Sequence, residues 1–408
     1  MLGPYRALFD APGAGSFCLA GFLARITMST VGLGIILVVS RLRGDYTLAG
    51  AVTAVYALTG ALAAPQVGRF ADRHGQSRVL PFSTGLLAAG IFALAGCTAW
   101  GAPGWTLFLA ATVAGGGNAS VGALVRARWA RIYRGSPLLH TAYSLEAVID
   151  ELVFITGPIV VTLLTTQVGP TAGLLVVLAI AVSGLLWLAA LRATQPEPGP
   201  AEGSQHGSPA RLPGIRALAT VAALLGTALG AIEVITVGFV SQAGHRALVG
   251  LVLACWALGS ALAGLGYGVL GPRGSLRCRY LACVTAAWLS SLLLLLPTSV
   301  GALTGVLLVC GLTIAPTLIT QVSLVEASVP PTELTEGIAW VTTALVLGAA
   351  AGEALGGVGV DRLGPHLAFS IPVAAGALAL TAALGGARWL TSGPRPSLPA
   401  DAEAPGQH

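Results

Sequence analysis

Residues 48–75 read LAGAVTAVYALTGALAAPQVGRFADRHG, and residues 248–275, two hundred positions later, read LVGLVLACWALGSALAGLGYGVLGPRGS. The two stretches align without a gap, and Tyr56 aligns with Trp256, which is also aromatic. The positions that keep the same residue are Leu48 and Leu248, Gly50 and Gly250, Val52 and Val252, Ala54 and Ala254, Ala57 and Ala257, Leu58 and Leu258, Ala61 and Ala261, Leu62 and Leu262, Ala63 and Ala263, Gly68 and Gly268, and Arg73 and Arg273. This alignment predicts a chain built from two copies of one helical unit.

The composition places the chain in a lipid bilayer. Hydrophobic residues make up 55% of it and charged residues only 9%, and the mean hydropathy is +0.83. A soluble protein of 408 residues needs a far more charged surface than this. All 21 basic residues are Arg, which with the abundant Ala and Gly indicates a GC-rich bacterial genome. Six Cys lie scattered without CxxC spacing, so we expect neither a disulfide framework nor a metal site, and no cofactor.

Apolar runs along the chain are long enough to cross a membrane, which takes about 20 residues per helix. The predicted spans are 17–40, 47–68, 79–100, 104–125, 140–168, 171–191, 214–241, 247–270, 280–297, 301–324, 336–358 and 366–390. The first run is too long for a signal-peptide core and lacks a small-residue cleavage site, so we expect it to stay in the mature protein. The predicted fold class is an all-α integral membrane protein with twelve transmembrane helices.

Two polar stretches divide this pattern into domains. Residues 193–213 are rich in Pro, Gly and Ser and cannot bury an apolar face, which predicts a flexible linker. Residues 392–408 have a similar composition and are predicted to be a disordered tail. The linker separates two pseudo-symmetric six-helix bundles, predicted at 1–192 and 214–391.

The arginines predict the orientation in the membrane. The two ends and the loops after even-numbered helices carry most of them, whereas the other side carries Arg41, Arg43, Arg246 and Arg362. By the positive-inside rule, both termini and the linker lie in the cytoplasm and the protein spans the cell membrane. The basic loops thus act as topology signals that also meet lipid head groups. We expect no nucleic-acid binding, because there is no soluble basic face.

The end of the first copy carries the most specific local motif, Gly68-Arg69-Phe70-Ala71-Asp72-Arg73-His74-Gly75-Gln76-Ser77-Arg78. It resembles the cytoplasmic loop signature of the major facilitator superfamily, Gly-x-x-x-Asp-Arg-x-Gly followed by basic residues, between helices two and three. Gly68, Asp72, Arg73 and Gly75 match that signature, while Gln76 and Ser77 replace the usual basic pair and Arg78 follows one place late. Twelve spans, a central linker and cytoplasmic termini also resemble that superfamily.

The resemblance implies that this motif latches the two halves together on the cytoplasmic side in the outward-open state. Its glycines allow a tight turn and close helix packing. The predicted partners are acidic residues at the starts of helices eleven and five: Glu333, Glu336, Glu146 and Asp150. The alternative is a charged turn that serves topology alone.

The fifth predicted helix carries Glu146, Asp150 and Glu151, followed by Gly157 and Pro158. Glu146 and Asp150 share one helix face, and pairing with nearby arginines is favoured over proton carriage. Gly157-Pro158 can bend the helix and resembles the fifth-helix motif of drug–proton antiporters in the superfamily. The glycine pair that usually follows is absent, and the fourth helix lacks the Arg that such exporters often carry.

Three charged residues are predicted well inside the membrane, where charges are costly and usually functional. They are Arg25 in the first helix, Glu233 in the seventh and Glu353 in the eleventh. Arg25 stays charged and would bind an anionic group or balance a buried carboxylate. Glu233 stands where the first copy has Leu33, so it is an added charge. Each residue has the alternative of a structural ion pair.

Other features refine the functional expectation. Glu353 follows Gly348-x-x-x-Gly352, a small-residue face typical of tight helix contacts. Asn118 in the fourth helix is a candidate polar contact for a substrate. A phosphate-binding loop of the Gly-x-x-x-x-Gly-Lys type is absent. We therefore expect no enzymatic activity and no hydrolysis of ATP.

The resemblance implies secondary transport by two rocking bundles around a midplane cavity. We expect proton-coupled export of a small organic molecule by a monomer, with Glu233 as the titrating group and Arg25 as its counter-charge or an anion binder. Uptake or facilitated transport of a metabolite is the first alternative. A polytopic membrane protein that does not transport is the second.

Overall fold

Residues 6–134, 136, 138–197, 212–270, 274–329 and 334–389 are described by the structure, a computed structural model. Its described part contains 12 helices that are long and apolar enough to cross a membrane. They are α1 Ala14–Arg43, α2 Tyr46–His74, α3 Gln76–Ala99, α4 Gly104–Ile132, α5 Thr141–Val168, α6 Ala172–Ala190, α7 Pro213–Gln242, α8 Arg246–Tyr267, α9 Leu276–Leu295, α10 Val300–Ser328, α11 Gly337–Leu363 and α12 Pro365–Trp389. The predicted all-α fold with twelve spans is confirmed.

Several helices run past the apolar segments that predicted them. The fourth was predicted to end at 125, yet α4 continues to Ile132 through Arg126, Arg128 and Arg131. Hydropathy marks the length of chain that lipid tolerates, whereas a helix continues as long as its backbone bonds are supported. These extra turns carry charged side chains to positions where they reach other helices.

Four of the described spans are interrupted by a short turn, and in α12 this turn lies at Phe369, between Pro365–Ala368 and Ser370–Gly386. In α1 the break lies at Ile26, between Ala14–Arg25 and Thr27–Arg43. In α4 the segment 117–120, which follows two glycines, separates Gly104–Gly116 from Val121–Ile132. In α10 a turn between Gly311 and Ile314 precedes Pro316, whose ring removes a backbone donor.

Buried apolar residues form separate cores in the two halves and a third core between them. One cluster draws on α1 to α6 and another on α7 and α9 to α12. The third joins the second half of α1 to the second half of α7, with Leu33 and Ile36 against Val234 and Ile235. The halves therefore meet through apolar side chains on one side of the bundle.

Two names describe the sides of this bundle. The basic side contains the turn between α2 and α3, where Gly75 has a φ of 89°. The opposite side contains the turn between α1 and α2, where Gly44 has a φ of 66°. Both conformations are ones that glycine adopts without a steric penalty. Gly75 therefore provides the tight turn that was predicted for the loop motif.

A glycine seam joins α7 to α11. A methyl group on Gly348 would lie 1.8 Å from the carbonyl oxygen of Ala223, and one on Gly352 would lie 2.1 Å from that of Thr227. Gly226 and Gly230 on α7 approach the α11 backbone in the same way. The small-residue face before Glu353 is therefore confirmed as a close helix contact, the kind that holds helices together in lipid.

The linker and the tail fall largely outside the described residues. Positions 198–211 of the predicted linker 193–213 and all of the predicted tail 392–408 lie outside them. At the start of the linker, a short 3-10 turn spans Arg192–Thr194.

Candidate functional site

A cavity of about 440 Å³ lies between the two halves. Seven helices line it, namely α1, α2, α5, α7, α8, α10 and α11. The lining residues are Met28, Ser29, Gly32, Leu33, Thr53, Tyr56, Ala57, Glu151, Phe154, Pro158, Leu229, Glu233, Leu253, Trp256, Ala257, Ser260, Ile314, Leu318 and Glu353. Its volume falls in the range of about 300–1,000 Å³ that is typical of small-molecule sites.

Three carboxyl groups line this cavity. Glu233 and Glu353, both predicted from their depth in the membrane, come from α7 and α11 and are joined there by Glu151 of α5. The described residues that line the cavity include no arginine and no histidine. The charge of the site is therefore negative whenever its carboxyl groups are ionised.

Glu353 is the most enclosed of these acids. It is 8% exposed, and its Oε2 atom has no hydrogen-bond partner in the described part of the chain. Gly50 of α2 lets that helix approach closely, because a methyl group there would lie 2.2 Å from the carbonyl oxygen of Glu353. Glu353 thus sits where α2, α7 and α11 meet.

Aromatic side chains from both copies of the repeat form part of the wall. Tyr56 of α2 and Trp256 of α8, which the alignment pairs, both line the cavity together with Phe154 of α5. The Nε1 atom of Trp256 is buried and has no hydrogen-bond partner among the described residues. The sequence showed the pairing of these rings but gave no sign that they face a common space.

Arg25 lies outside the cavity lining, in a buried ion-pair cluster on the basic side. It is 1% exposed and donates to Oε2 of Glu146, which is fully buried. Trp129 of α4 donates its Nε1–H to the other oxygen of Glu146 at 2.7 Å. Arg25 therefore balances a buried carboxylate, as one reading of the sequence predicted, and that carboxylate is Glu146 rather than Glu233.

Asp150 extends the same cluster. Its Oδ2 accepts a hydrogen bond from Arg126 at 2.7 Å, and its Oδ1 lies 3.4 Å from Nε of Arg25. The predicted pairing of the α5 acids with nearby arginines is confirmed for Arg126 and Asp150. Together these contacts tie α1 and α4 to α5 within the first half.

The other predicted residues of the first half lie at helix contacts. Asn118 is in the break of α4 and packs against Gly60 of α2, where a methyl group would lie 2.9 Å from its Nδ2 atom. Gly157 meets α1, since a methyl group there would lie 2.1 Å from Oγ of Ser29. Pro158 follows it and lines the cavity, and α5 continues through both positions.

Backbone contacts close the opposite side between the two halves. A methyl group on Gly250 of α8 would lie 2.2 Å from the carbonyl oxygen of Pro158, which mirrors Gly50 against Glu353. The carboxylate of Asp361 at the end of α11 accepts hydrogen bonds from the amides of Tyr46, at 3.3 Å, and Thr47. A carboxylate at a helix start is favourable because it meets free N–H groups and the positive end of the helix dipole.

Known proteins resemble this chain in sequence and in fold. A sequence profile of the Major Facilitator Superfamily matches residues 17–245. The chain belongs to this superfamily. It is therefore a multi-pass membrane protein of a transporter family. A search of curated proteins finds no matching sequence.

Solved superfamily transporters share the fold at low sequence identity. A mutant of the nucleoside transporter NupG is 15% identical, with a TM-score of 0.73 over 92% of this chain and 98% of that one. A mutant of the peptide transporter POT in complex with sulfate is 16% identical, with a TM-score of 0.72 over 94% and 97%. A bacterial homologue of the iron transporter ferroportin, in its inward-facing state, is 14% identical, with a TM-score of 0.69 over 91% and 98%.

The loop motif of the superfamily is exposed in this structure. Asp72, Arg73 and Arg78 are exposed, and Asp72 forms no ion pair with a described residue. A methyl group on Gly68 would meet open space. Of the predicted latch partners, Glu146 and Asp150 are engaged by Arg25 and Arg126, while Glu333 and the side chain of Glu336 lie outside the described residues.

Gln76, which replaces a basic residue of the superfamily motif, has a structural role. Its Oε1 accepts from Nε of the fully buried Arg128 at 2.8 Å, and its Nε2 donates to the carbonyl of Leu124 at 3.1 Å. Arg128 also donates to the carbonyls of Leu188 and Leu191 at the end of α6. This buried hub joins α3, α4 and α6, and the sequence gave no signal for it beyond the unusual glutamine.

Proposed function

We propose that this chain is a proton-coupled exporter of small organic molecules, in which Glu233 binds and releases the coupling proton. The observation that carries the proposal is a cavity between the halves with carboxyl groups and no arginine or histidine among its described lining residues. An ionisable group inside a membrane protein is usually functional, and carboxyl groups form the proton relays of many transporters. Outside the cavity, the buried Arg25 pairs with Glu146, and the buried Arg128 contacts Gln76 and helix carbonyls.

The proposed orientation follows from the arginines. We place the basic side in the cytoplasm of a cell membrane, with residues 1–192 and 214–391 as the two moving bundles and 193–213 as their cytoplasmic linker. Hydrogen bonds and glycine contacts join the bundles on the opposite side, and on the basic side Asp72 forms no ion pair with a described residue. These contacts support an inward-facing conformation.

Alternating access then proceeds by rocking of the bundles. In the inward-facing state, Glu233 releases its proton to the cytoplasm and the substrate enters the cavity. Rocking separates Gly50 from Glu353 and Gly250 from Pro158, and the loop motif with Asp72 forms its latch on the basic side. The substrate leaves outside, a proton binds Glu233, and the protein returns. The substrate and the proton thus use the cavity in turn.

The experiment uses inverted membrane vesicles that contain the chain and are acidified inside by ATP hydrolysis. A pH-sensitive fluorescent dye reports proton release when cationic, zwitterionic, neutral and anionic organic molecules are added separately. We expect at least one class to release protons, and Glu233→Gln to slow that release at least about tenfold. Glu197→Gln, at a side chain that is 91% exposed, is the matched control and should behave like the wild type.

Two results would contradict the proposal. Proton release at the wild-type rate in Glu233→Gln would remove Glu233 from coupling. Further acidification on substrate addition would show that substrate and proton move in the same direction, which is uptake rather than export.

A further inference from the structure

The acids that line the cavity differ in their hydrogen-bond partners from the buried acids elsewhere in the molecule. Outside it, the buried Glu146 receives hydrogen bonds from Arg25 and Trp129, and Asp150 receives one from Arg126. Inside it, Glu353 is 8% exposed, yet its Oε2 has no partner among the described residues. A buried carboxylate is favourable only when donors or positive charge satisfy it. Outside the cavity an arginine lies beside both Glu146 and Asp150, whereas the described lining of the cavity includes no arginine.

The walls of the cavity point to the kind of ligand that would meet this need. The rings of Tyr56, Trp256 and Phe154 supply π faces, which attract cations. The hydroxyl of Ser29 donates to the carbonyl of Val153 at 2.8 Å, and that of Thr53 donates to the carbonyl of Ala49 at 2.9 Å. These two hydroxyls are engaged by the backbone. The remaining polar side-chain groups of the lining are the three carboxyl groups, the hydroxyls of Ser260 and Tyr56, and the Nε1–H of Trp256.

We propose that the cavity binds an organic cation, an amine or onium compound, between the carboxylates of Glu353 and Glu233 and the rings of Trp256 and Tyr56. The proposal rests on the transport function above and adds the class of substrate. An organic cation fits better than a metal ion, because aromatic walls and a volume of about 440 Å³ suit an apolar body that carries a charge. The carboxylates would repel an anionic substrate, and a neutral one would offer at most a hydrogen-bond donor without a charge.

Cation and proton then compete for the same oxygens. The other titratable groups that line the cavity are Glu151 and Tyr56, and the described lining residues of α1, α8 and α10 contribute none. Protonation of the carboxyl groups removes the charge that attracts the cation. Affinity for the cation therefore falls as the pH falls, and this competition is itself a means of exchanging one for the other.

The test measures equilibrium binding to the full chain in lipid nanodiscs, with empty nanodiscs as background. Tetraphenylphosphonium and tetraphenylborate have the same shape and opposite charge, and tetraethylammonium is a smaller cation. We expect saturable binding of at least one cation, no saturable binding of tetraphenylborate, and weaker cation binding at about pH 5 than at about pH 8. Glu353→Gln should weaken binding at least about tenfold, and Glu197→Gln should not change it.

The outcomes separate this proposal from the transport proposal. Absence of saturable binding for both cations, or equal binding of tetraphenylborate, overturns the assignment of a cation. If a neutral or anionic compound also drives proton release in vesicles, the transport function stands and only the substrate class is wrong. Glu353→Asp keeps the charge and should bind the cation. If Glu353→Gln does not fold, the comparison of the two tetraphenyl ions on the wild type decides whether the cavity selects a cation.

Discussion

The two halves share a helical scaffold but differ in where they place buried charge. In the first half, Arg25, Arg126 and Arg128 each contact an acid, an amide or helix carbonyls, away from the cavity. In the second half, Glu233 and Glu353 line the cavity, whose described lining residues include no arginine or histidine. The first half therefore uses its buried arginines to hold helices together and contributes Glu151 to the cavity, whereas both acids of the second half line the cavity.

The repeat shows the same division position by position. Gly50 and Gly250 are identical in the alignment and perform the same task, since each lets its helix meet a backbone carbonyl of the other half. At an offset of 200 residues, Arg25 corresponds to Leu225 and Glu233 to Leu33. Shared residues form the scaffold, and the differences carry the charges.

The largest expected effect comes from replacing Arg25 of the first half with leucine, the residue at the corresponding position 225 of the second half. Arg25→Leu would leave the fully buried Glu146 without its cation, and breaking a buried pair from one side costs about 3–5 kcal/mol of the free energy of unfolding. Thermal unfolding in detergent measures the loss. The double variant Arg25→Leu with Glu146→Gln should recover part of it, and a double variant no more stable than Arg25→Leu would argue against the pair.

The next effect tests the shared positions. Gly50→Ala and Gly250→Ala each place a methyl group 2.2 Å from a carbonyl oxygen of the other half. Overpacking of this kind costs about 1–3 kcal/mol, so both variants should disfavour closure of the opposite side by similar amounts. Labelling of single cysteines introduced on that side measures the closure. Gly85→Ala, which meets open space, is the control, and an effect of only one glycine would show that the copies are not equivalent here.

The smallest expected effect comes from changing Asp361, whose contact is present in only one of the two copies. Asp361 binds the start of α2, whereas the corresponding position of the first half is the buried Val161. Asp361→Asn keeps an acceptor and removes the charge, so closure of the opposite side should weaken by about 0.3–1 kcal/mol. The same cysteine labelling measures it. A change as large as that of Gly50→Ala would mean that Asp361 does more than cap a helix.

The fold followed from the sequence because lipid imposes a simple requirement. A helix of about 20 apolar residues satisfies its own backbone groups in a bilayer, so the apolar runs predicted the spans. The repeat and the loop motif then indicated the superfamily. The breaks of α1, α4 and α10 were not predicted, since apolar composition continues across them.

The site was only partly accessible to sequence reasoning. The depth of Glu233 and Glu353 identified them, because charges are rare in that position. The partner of Arg25 was not predictable, since Glu146 lies 121 residues away and the sequence gives no distance between helices. Asp361 was missed for a related reason: it is close in sequence to Arg362 at a helix end, and only the packing of α11 on α2 gives it a partner.

The glycine seam between α7 and α11 has a consequence for the pair of acids that those helices carry. Gly226, Gly230, Gly348 and Gly352 bring the two backbones into direct contact. In the proposed rocking motion, Glu233 and Glu353 therefore move together. Their mutual repulsion cannot be relieved by moving apart, and only an arriving positive charge relieves it.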